Sequence, residues 1–359
     1  MCSCNHPSPK KHKPRIQFII KERKAYGTKT KCYGLFNSCN FIVNKLKEYG
    51  IEAEAIQVVD NNCIDKHVSR FKPTHCFIEA LWVVPSKFEA LAKLHPKVKW
   101  IVRLHSMIPF LVSEGMAFEW IQEYIQLRNS GIKLELSCNN EVMTEDMRKH
   151  YGNFITYSPN IYFPKQVDKK MLSKNILIDK NALNIGCFGA LRVLKNHAQQ
   201  AMWAMDFAES LGKKMHFHVN ISEHEQREAG PVLRNMRAMF SSSNHKLIEH
   251  PWYEHKDFIS LIRHMDMGMQ VSFTETFNIV AADFVNAGIP IVVSNEIRFV
   301  NPICRAEPTR KASVINALIC ANSIFRKLLC RWNKMLLDNH NKQSVTQWLN
   351  IIQWECECR

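Results

Sequence analysis

Residues 274–294 constrain this chain more than any other stretch. They read as a polar loop (Thr274-Glu275-Thr276), a helix start, a glycine stop at Gly288 and a buried strand over 291–294 behind Pro290. Glycine just past the last helical residue takes the left-handed conformation that ends a helix. An all-apolar strand so soon afterwards has to be covered on both faces, as in a parallel α/β sheet. The stretch is therefore one repeat unit of such a sheet.

The same stretch carries polar chemistry. Glu275 sits in the loop and Asp283 stands eight positions later on the helix. A helix N-terminus offers unpaired N–H groups that attract phosphates and oxygen-rich ligands. Glu275 can accept hydrogen bonds from hydroxyls near that terminus, and Asp283, about two turns on, from hydroxyls further away. The layout suits a ligand with phosphates in the middle and hydroxylated rings at both ends, such as a nucleotide sugar.

The rest of the chain repeats the alternation twice. The first round predicts strands over 15–20, 54–59, 74–79, 98–104, 133–137 and 153–157. Helices over 35–49, 87–94 and 117–128, and one from Glu141, separate them. Pro159, Pro164 and the polar run 165–174 read as a linker. The second round predicts strands over 183–188, 215–219, 246–249, 267–271 and 291–294, with helices over 196–211, 232–240 and 256–264 between them. From Lys311 onward the tail is helical. The expected domains are 1–165, a Rossmann-like acceptor-side unit, 166–335, a Rossmann-like nucleotide-sugar unit, and 336–359, a C-terminal helix packing back on the first unit. In open α/β sheets ligands sit beyond the carboxyl ends of the strands, which places the site in the cleft between the two units.

Composition narrows the class. With 359 residues, 46% hydrophobic and 23% charged, the chain is ordinary globular material. No apolar run spans a bilayer, and no signal-type stretch follows Met1, so the expected compartment is the cytoplasm. Lysine and arginine exceed the acids by 15, which favours polyanionic partners or a phosphorylated small ligand. Most of the 13 cysteines, such as Cys76 and Cys187, lie in apolar segments and read as reduced, buried residues. The pairs Cys2/Cys4 and Cys356/Cys358 would suit zinc only if the two ends met.

The second unit opens with a strand that ends at Gly189, a short loop holding Arg192 and Lys195, and a helix after Asn196. Two cations at the carboxyl end of a unit's first strand suit a diphosphate. With Gly189, Lys195, Asn196, Glu275, Phe277, Gly288 and Pro290 in place, the chain resembles the GT-B fold glycosyltransferases, close to glycosyltransferase family 4. Ser158-Pro159-Asn160 is similar to that family's turn before the second domain. The likeness is carried by about residues 155–300 and is weaker before them.

The resemblance implies a fold of two Rossmann-like doubly wound domains facing a cleft, with a helical C-terminal tail. It implies that Lys195 and Arg192 hold the donor diphosphate, that Glu275 binds sugar hydroxyls, that the amides of Phe277, Asn278 and Ile279 grip sugar and phosphate, and that Asp283 binds the ribose. Three departures stand out. Asp283 replaces a glutamate, Asn278 replaces a usual glycine and narrows the space beside the donor, and Ala190 leaves Arg192 to supply a charge. In the first unit the resemblance gives His105, at a strand's carboxyl end, a contact with the donor sugar; the bland reading is a core-edge histidine satisfied by backbone. Arg103 either reaches a phosphate or pairs with Glu114. Gly34, placed before a helix, admits donor phosphate or acceptor, and residues 26–33 are alternatively an acceptor-binding loop. His216 and His218 share a strand face and read as structural. Trp252 and Tyr253 border the nucleoside or pack the Pro251 turn.

The resemblance implies retaining transfer of a sugar from a UDP- or GDP-sugar with no cofactor, and the lack of an Asp-x-Asp motif favours a reaction without metal. The acceptor is a saccharide or, given the basic charge, a modified DNA base. The other class is a nucleotide-sugar or nucleic-acid binding protein that keeps the cleft without turnover.

Overall fold

The structure is a computed structural model and describes residues 13–22, 33–164, 178–221 and 230–352. The terminal Cys-x-Cys pairs, Lys10 and Lys11, most of the 26–33 loop and the linker run 165–174 lie outside these residues.

Two parallel sheets form, as the alternation predicts, each with six strands, where five were expected in the second. The first contains β1 (Arg15–Lys21), β2 (Glu52–Val58), β3 (His75–Glu79), β4 (Lys99–Leu104), β5 (Leu134–Cys138) and β6 (Thr156–Tyr157), in the order β2-β1-β3-β4-β5-β6. The second contains β7 (Leu183–Gly186), β8 (Met215–Asn220), β9 (Lys246–His250), β10 (Met267–Gln270), β11 (Ile291–Ser294) and β12 (Arg305–Ala306), in the order β12-β11-β10-β7-β8-β9. The inner strands are almost wholly buried because helices cover both faces, while the edge strands β2, β6 and β9 are only partly buried. In the second sheet the order reverses at the β7–β10 pair, where Gly186 lies opposite Gly268. The loops leaving these two strands carry Lys195 and Glu275.

The helices are α1 (Tyr33–Glu48), α2 (Ile64–Phe71), α3 (Pro85–Leu94), α4 (Ile108–Leu111), α5 (Ala117–Asn129) and α6 (Glu141–Tyr151) around the first sheet. Around the second are α7 (His197–Ser210), α8 (Gly230–Ser241), α9 (His255–Ile262) and α10 (Ile279–Ala287), followed by α11 (Lys311–Ala321) and α12 (Arg326–Ile351). Gly34 stands in the first turn of α1 rather than before it. The expected strand over 153–157 shrinks to two residues at a sheet edge. Helix α2 is an addition: its single turn-spaced set, Ile64, Val68 and Phe71, is too short to stand out in the sequence.

The C-terminal helix ties the halves together. Trp348 packs edge-on against Phe18 and Phe77 of the first sheet, with ring centres 5.6 and 5.1 Å away, and its indole N–H donates to the Pro159 carbonyl at 2.8 Å. Asn341 bonds both backbone groups of Tyr162 at 2.8 Å. The Ser158-Pro159-Asn160 turn is thereby fixed against α12. No single helix among the described residues is long and apolar enough to cross a membrane.

Candidate active site

The second sheet sets its loops by close packing. A methyl group at Gly186 would approach the Phe284 ring to 2.9 Å and one at Gly268 to 2.8 Å. Only glycines at these positions let α10 lie so close over the switch point. Gly189 then turns with φ +114°, and its N–H donates to Asn220 Oδ1 at 2.7 Å. Gln200 clamps the next segment to β10: its Nε2 donates to the Lys195 carbonyl at 2.8 Å and its Oε1 accepts from Val271 N at 2.7 Å. Asn196, buried in the left-handed conformation with φ 59°, adds a bond to the Val271 carbonyl at 3.2 Å.

These clamps bring Lys195 Nζ onto Glu275 Oε2 in an ion pair. The same oxygen accepts from Asn278 Nδ2 at 3.0 Å, and Oε1 accepts from Thr276 N at 3.3 Å. The Glu275 amide donates to Glu296 Oε2 at 2.5 Å. Burial pushes the Glu296 carboxyl up to about 7; its bond from the Glu275 amide and the charge of Lys195 oppose the rise, and the charge of Glu275 adds to it. Glu296 was not singled out from the sequence, where an acid in a surface loop carries no signal.

Asn278 turns its side chain onto neighbouring protein groups. Its side chain is buried and caps α10, with Oδ1 accepting from Ala281 N at 2.8 Å and Nδ2 donating to Gln270 Oε1 at 2.7 Å. The first-turn amides of Ile279 and Val280 have no carbonyl one turn back to bond. Both residues line a hollow of about 570 Å³, counting its open mouth, together with Gly34, Phe188, Trp252 and Tyr253. The Phe277 ring lies elsewhere, stacked on His340 and tilted against Phe299.

Asp283 lies on the wall of this hollow, already engaged. Its Oδ1 accepts from the Tyr162 hydroxyl at 2.5 Å and from His255 Nε2 at 2.7 Å. Burial lowers the His255 pKa, but the hydrogen bond and charge of Asp283 outweigh it and raise it above the ordinary value. Ribose hydroxyls would have to share this carboxylate. Asn220 also borders the hollow, and its Nδ2, in a 5% exposed residue, finds no partner among the described residues. A polar residue at the end of the strand Met-His-Phe-His-Val-Asn was the signal that could have found it.

Across the cleft, Arg103 corrects the sequence reading. It reaches neither a phosphate nor Glu114. It is fully buried, donates from Nη1 to Glu79 Oε2 at 2.9 Å, from Nε to the Ser158 carbonyl at 2.9 Å, and from Nη2 to Asn160 Oδ1. Burial would raise the Glu79 carboxyl, but Arg103 and His105 outweigh it and hold it at about 2. His105 Nε2 lies 2.5 Å from the same Oε2. Burial keeps this imidazole below its ordinary pKa even though the charge of Glu79 opposes the shift. A neutral ring then donates from Nε2 to Glu79 and accepts at Nδ1 from Asn139 Nδ2, 3.3 Å away. Both nitrogens have protein partners, so a sugar reaching the ring has to replace the Asn139 amide.

Thr276 joins the two walls. Its hydroxyl donates to the His105 carbonyl at 3.0 Å and accepts from Asn139 Nδ2 at 3.1 Å, while its carbonyl accepts from Asn140 Nδ2 at 3.1 Å. Arg192 also crosses the cleft, its guanidinium 5.1 Å from the centre of the Phe110 ring. The structure thus gathers Lys195, Glu275, Asn278 and Ile279 at the α10 terminus, His105 opposite, and Asp283 and Gly34 on the adjoining hollow. His216 and His218 point elsewhere: His218 bonds His250 and Asn184, and His216 lies 4.0 Å from Asp179.

No protein-family model matches the sequence, and no curated protein sequence matches it. Solved structures do resemble the fold. The apo structure of OtsA has a TM-score of 0.66 at 13% identity, over 96% of this chain and 99% of that one. A UDP-forming α,α-trehalose-phosphate synthase from Burkholderia vietnamiensis has a TM-score of 0.62 at 10% identity, over 96% and 97%. Anabaena HepE, solved with UDP and glucose, has a TM-score of 0.63 at 12% identity, over 94% and 98%. These likenesses show the GT-B fold.

Proposed function

We propose that this chain is a glycosyltransferase that moves a sugar, with retention, from a nucleoside-diphosphate sugar to an acceptor hydroxyl. The observation that carries the reading is the Lys195–Glu275 pair, which sits at the switch point of the second sheet, beside the α10 N-terminus and the hollow walled by Asp283. A lysine can leave a carboxylate for a diphosphate, and the freed Glu275 then accepts hydrogen bonds from sugar hydroxyls. The hollow receives the nucleoside, with the second unit holding the donor and the first the acceptor.

In the reaction the bond from the anomeric carbon to the diphosphate oxygen breaks and the acceptor oxygen bonds to that carbon from the same face. The acceptor proton passes to the departing phosphate oxygen. Charge gathers on the leaving diphosphate, where Lys195, Arg192 and the amides of Ile279 and Val280 stabilise it most in the transition state. The neutral His105, held by Glu79, forms the opposite wall. The contacts of Thr276 across the cleft help exclude water.

A UDP-sugar donor is supported by the UDP held by HepE and by the UDP-forming synthases of similar fold. The acceptor we favour is a saccharide or sugar phosphate. A DNA acceptor rests on net charge alone and is not carried further. The test is incubation with a panel of UDP- and GDP-sugars, followed by mass spectrometry of nucleotide and sugar products. We expect release of UDP from at least one donor, lost in Lys195→Ala. Nucleotide binding without hydrolysis or transfer, across donors and acceptors, would leave only a binding protein.

A further inference from the structure

The corner between α11 and α12 bears an apolar surface that the cleft does not use. The two helices meet at 104°. Ile324 in the corner is 91% exposed, Phe325 61% and Leu328 59%, with Ile319, Met335 and Trp332 near half. Phe325, Leu328, Trp332 and Met335 follow a three-four-three spacing and so form one stripe along the first three turns of α12. Further along the same stripe stand Asn339 and Thr346, so the apolar exposure is confined to the corner. Contiguous exposed side chains of this size mark an interaction site rather than ordinary surface.

The charge around the stripe says what covers it. Arg326, Lys327, Arg331 and Lys334 lie in the same three turns, and Lys327, Arg331 and Lys334 fall along the adjoining side of the helix. Only Lys334 has a carboxylate partner among the described residues, Asp338. Cations beside an apolar stripe that contains tryptophan match a bilayer surface with anionic headgroups, and they disfavour a second copy of the same surface. The helix is not free to span a bilayer. Its other face buries Leu329, Leu337 and Trp348 in the protein.

We propose that this corner docks the protein on an anionic membrane surface. Ile324, Phe325, Leu328 and Trp332 enter the boundary between headgroups and acyl chains, and Arg326, Lys327 and Arg331 pair with lipid phosphates. This inference stands whether or not the cleft transfers a sugar.

The experiment is co-sedimentation of the full chain with phosphatidylcholine vesicles, with and without phosphatidylserine. We expect binding only to the anionic vesicles, weakened by salt. The double variants Leu328→Ser/Trp332→Ser and Lys327→Glu/Arg331→Glu should each bind at least ~10-fold more weakly. All four positions are exposed, and circular dichroism checks that both variants fold. Three results would overturn the proposal: no binding to anionic vesicles; binding that neither variant changes, which would assign it to the overall basic charge; or a concentration-dependent dimer, broken by Leu328→Ser/Trp332→Ser, in protein that binds no vesicles.

Discussion

The hydroxyl of Thr276 donates to the backbone carbonyl of His105, 3.0 Å away and 171 positions earlier in the chain. The residue beside Glu275 is thus held by the first sheet's loops, and the donor loop takes its place only when the two walls meet. Thr276→Val keeps the shape and removes the hydroxyl, leaving the His105 carbonyl and the Asn139 amide without that partner. Each bond is worth about 0.5–1.5 kcal/mol. We expect a more open cleft by small-angle scattering and a several-fold higher KM for donor. An unchanged radius of gyration and KM would show that the clasp is idle.

Lys195→Ala and Glu275→Ala test the chemistry. Loss of one group that stabilises charge in a transition state costs about 10²–10³-fold in kcat. Steady-state kinetics should show that loss in both variants, with far-UV circular dichroism unchanged. Full turnover in either would reject its role.

Removing Arg103 should damage the fold itself. Arg103→Met strands the buried Glu79 carboxylate, and breaking such a pair costs about 3–5 kcal/mol, read by urea denaturation. The double variant with Glu79→Gln should recover part of that. The Glu79 carboxyl is held down at about 2 against an ordinary 4.5. Its contribution to stability is therefore present above 4.5 and is lost as pH falls toward 2. Glu79→Gln should flatten that acid limb in a melting series.

Glu296 has the opposite sign. Its carboxyl is raised to about 7, so between 4.5 and 7 the folded chain keeps a proton that the unfolded chain has lost. Stability from this group falls as pH rises through that window. Glu296→Gln retains an oxygen for the Glu275 amide and should have a higher Tm than the parent above pH 7 and a similar one near 4.5. A Tm difference that does not change with pH would contradict this.

Gly268→Ala probes the packing over the switch point. Its new methyl would lie 2.8 Å from the Phe284 ring, and overpacking of this kind costs about 1–3 kcal/mol. Chemical denaturation should show that loss. A neutral result would mean that Phe284 has room to shift.

Several elements were legible because their signals are local. The Gly288-Ile289-Pro290 stop fixed the end of α10 and the start of β11 within a residue or two. The buried strands of the second sheet announced themselves as short apolar runs between glycines and turn residues. Elements with little periodicity escaped. The two-residue β12 and the short α2 are examples, and so is the corner at 322–325, where the tail expected as simply helical turns by 104°. The Arg103 partner was missed for another reason. Glu79 is 24 positions away, and only the register of β3 on β4 sets the two side by side.

The sequence by itself determined the alternation, the two parallel sheets and the loop positions of Lys195 and Glu275, because hydrophobic period and glycine or proline punctuation act over a few residues. Tertiary structure decided which side chains meet. It gave Asp283 to Tyr162 and His255, turned Asn278 into a helix cap, enclosed Arg103 with Glu79, and bound Thr276 to the opposite wall. Those contacts join segments up to 171 positions apart. Their geometry follows from sheet register and helix packing, which no local pattern encodes.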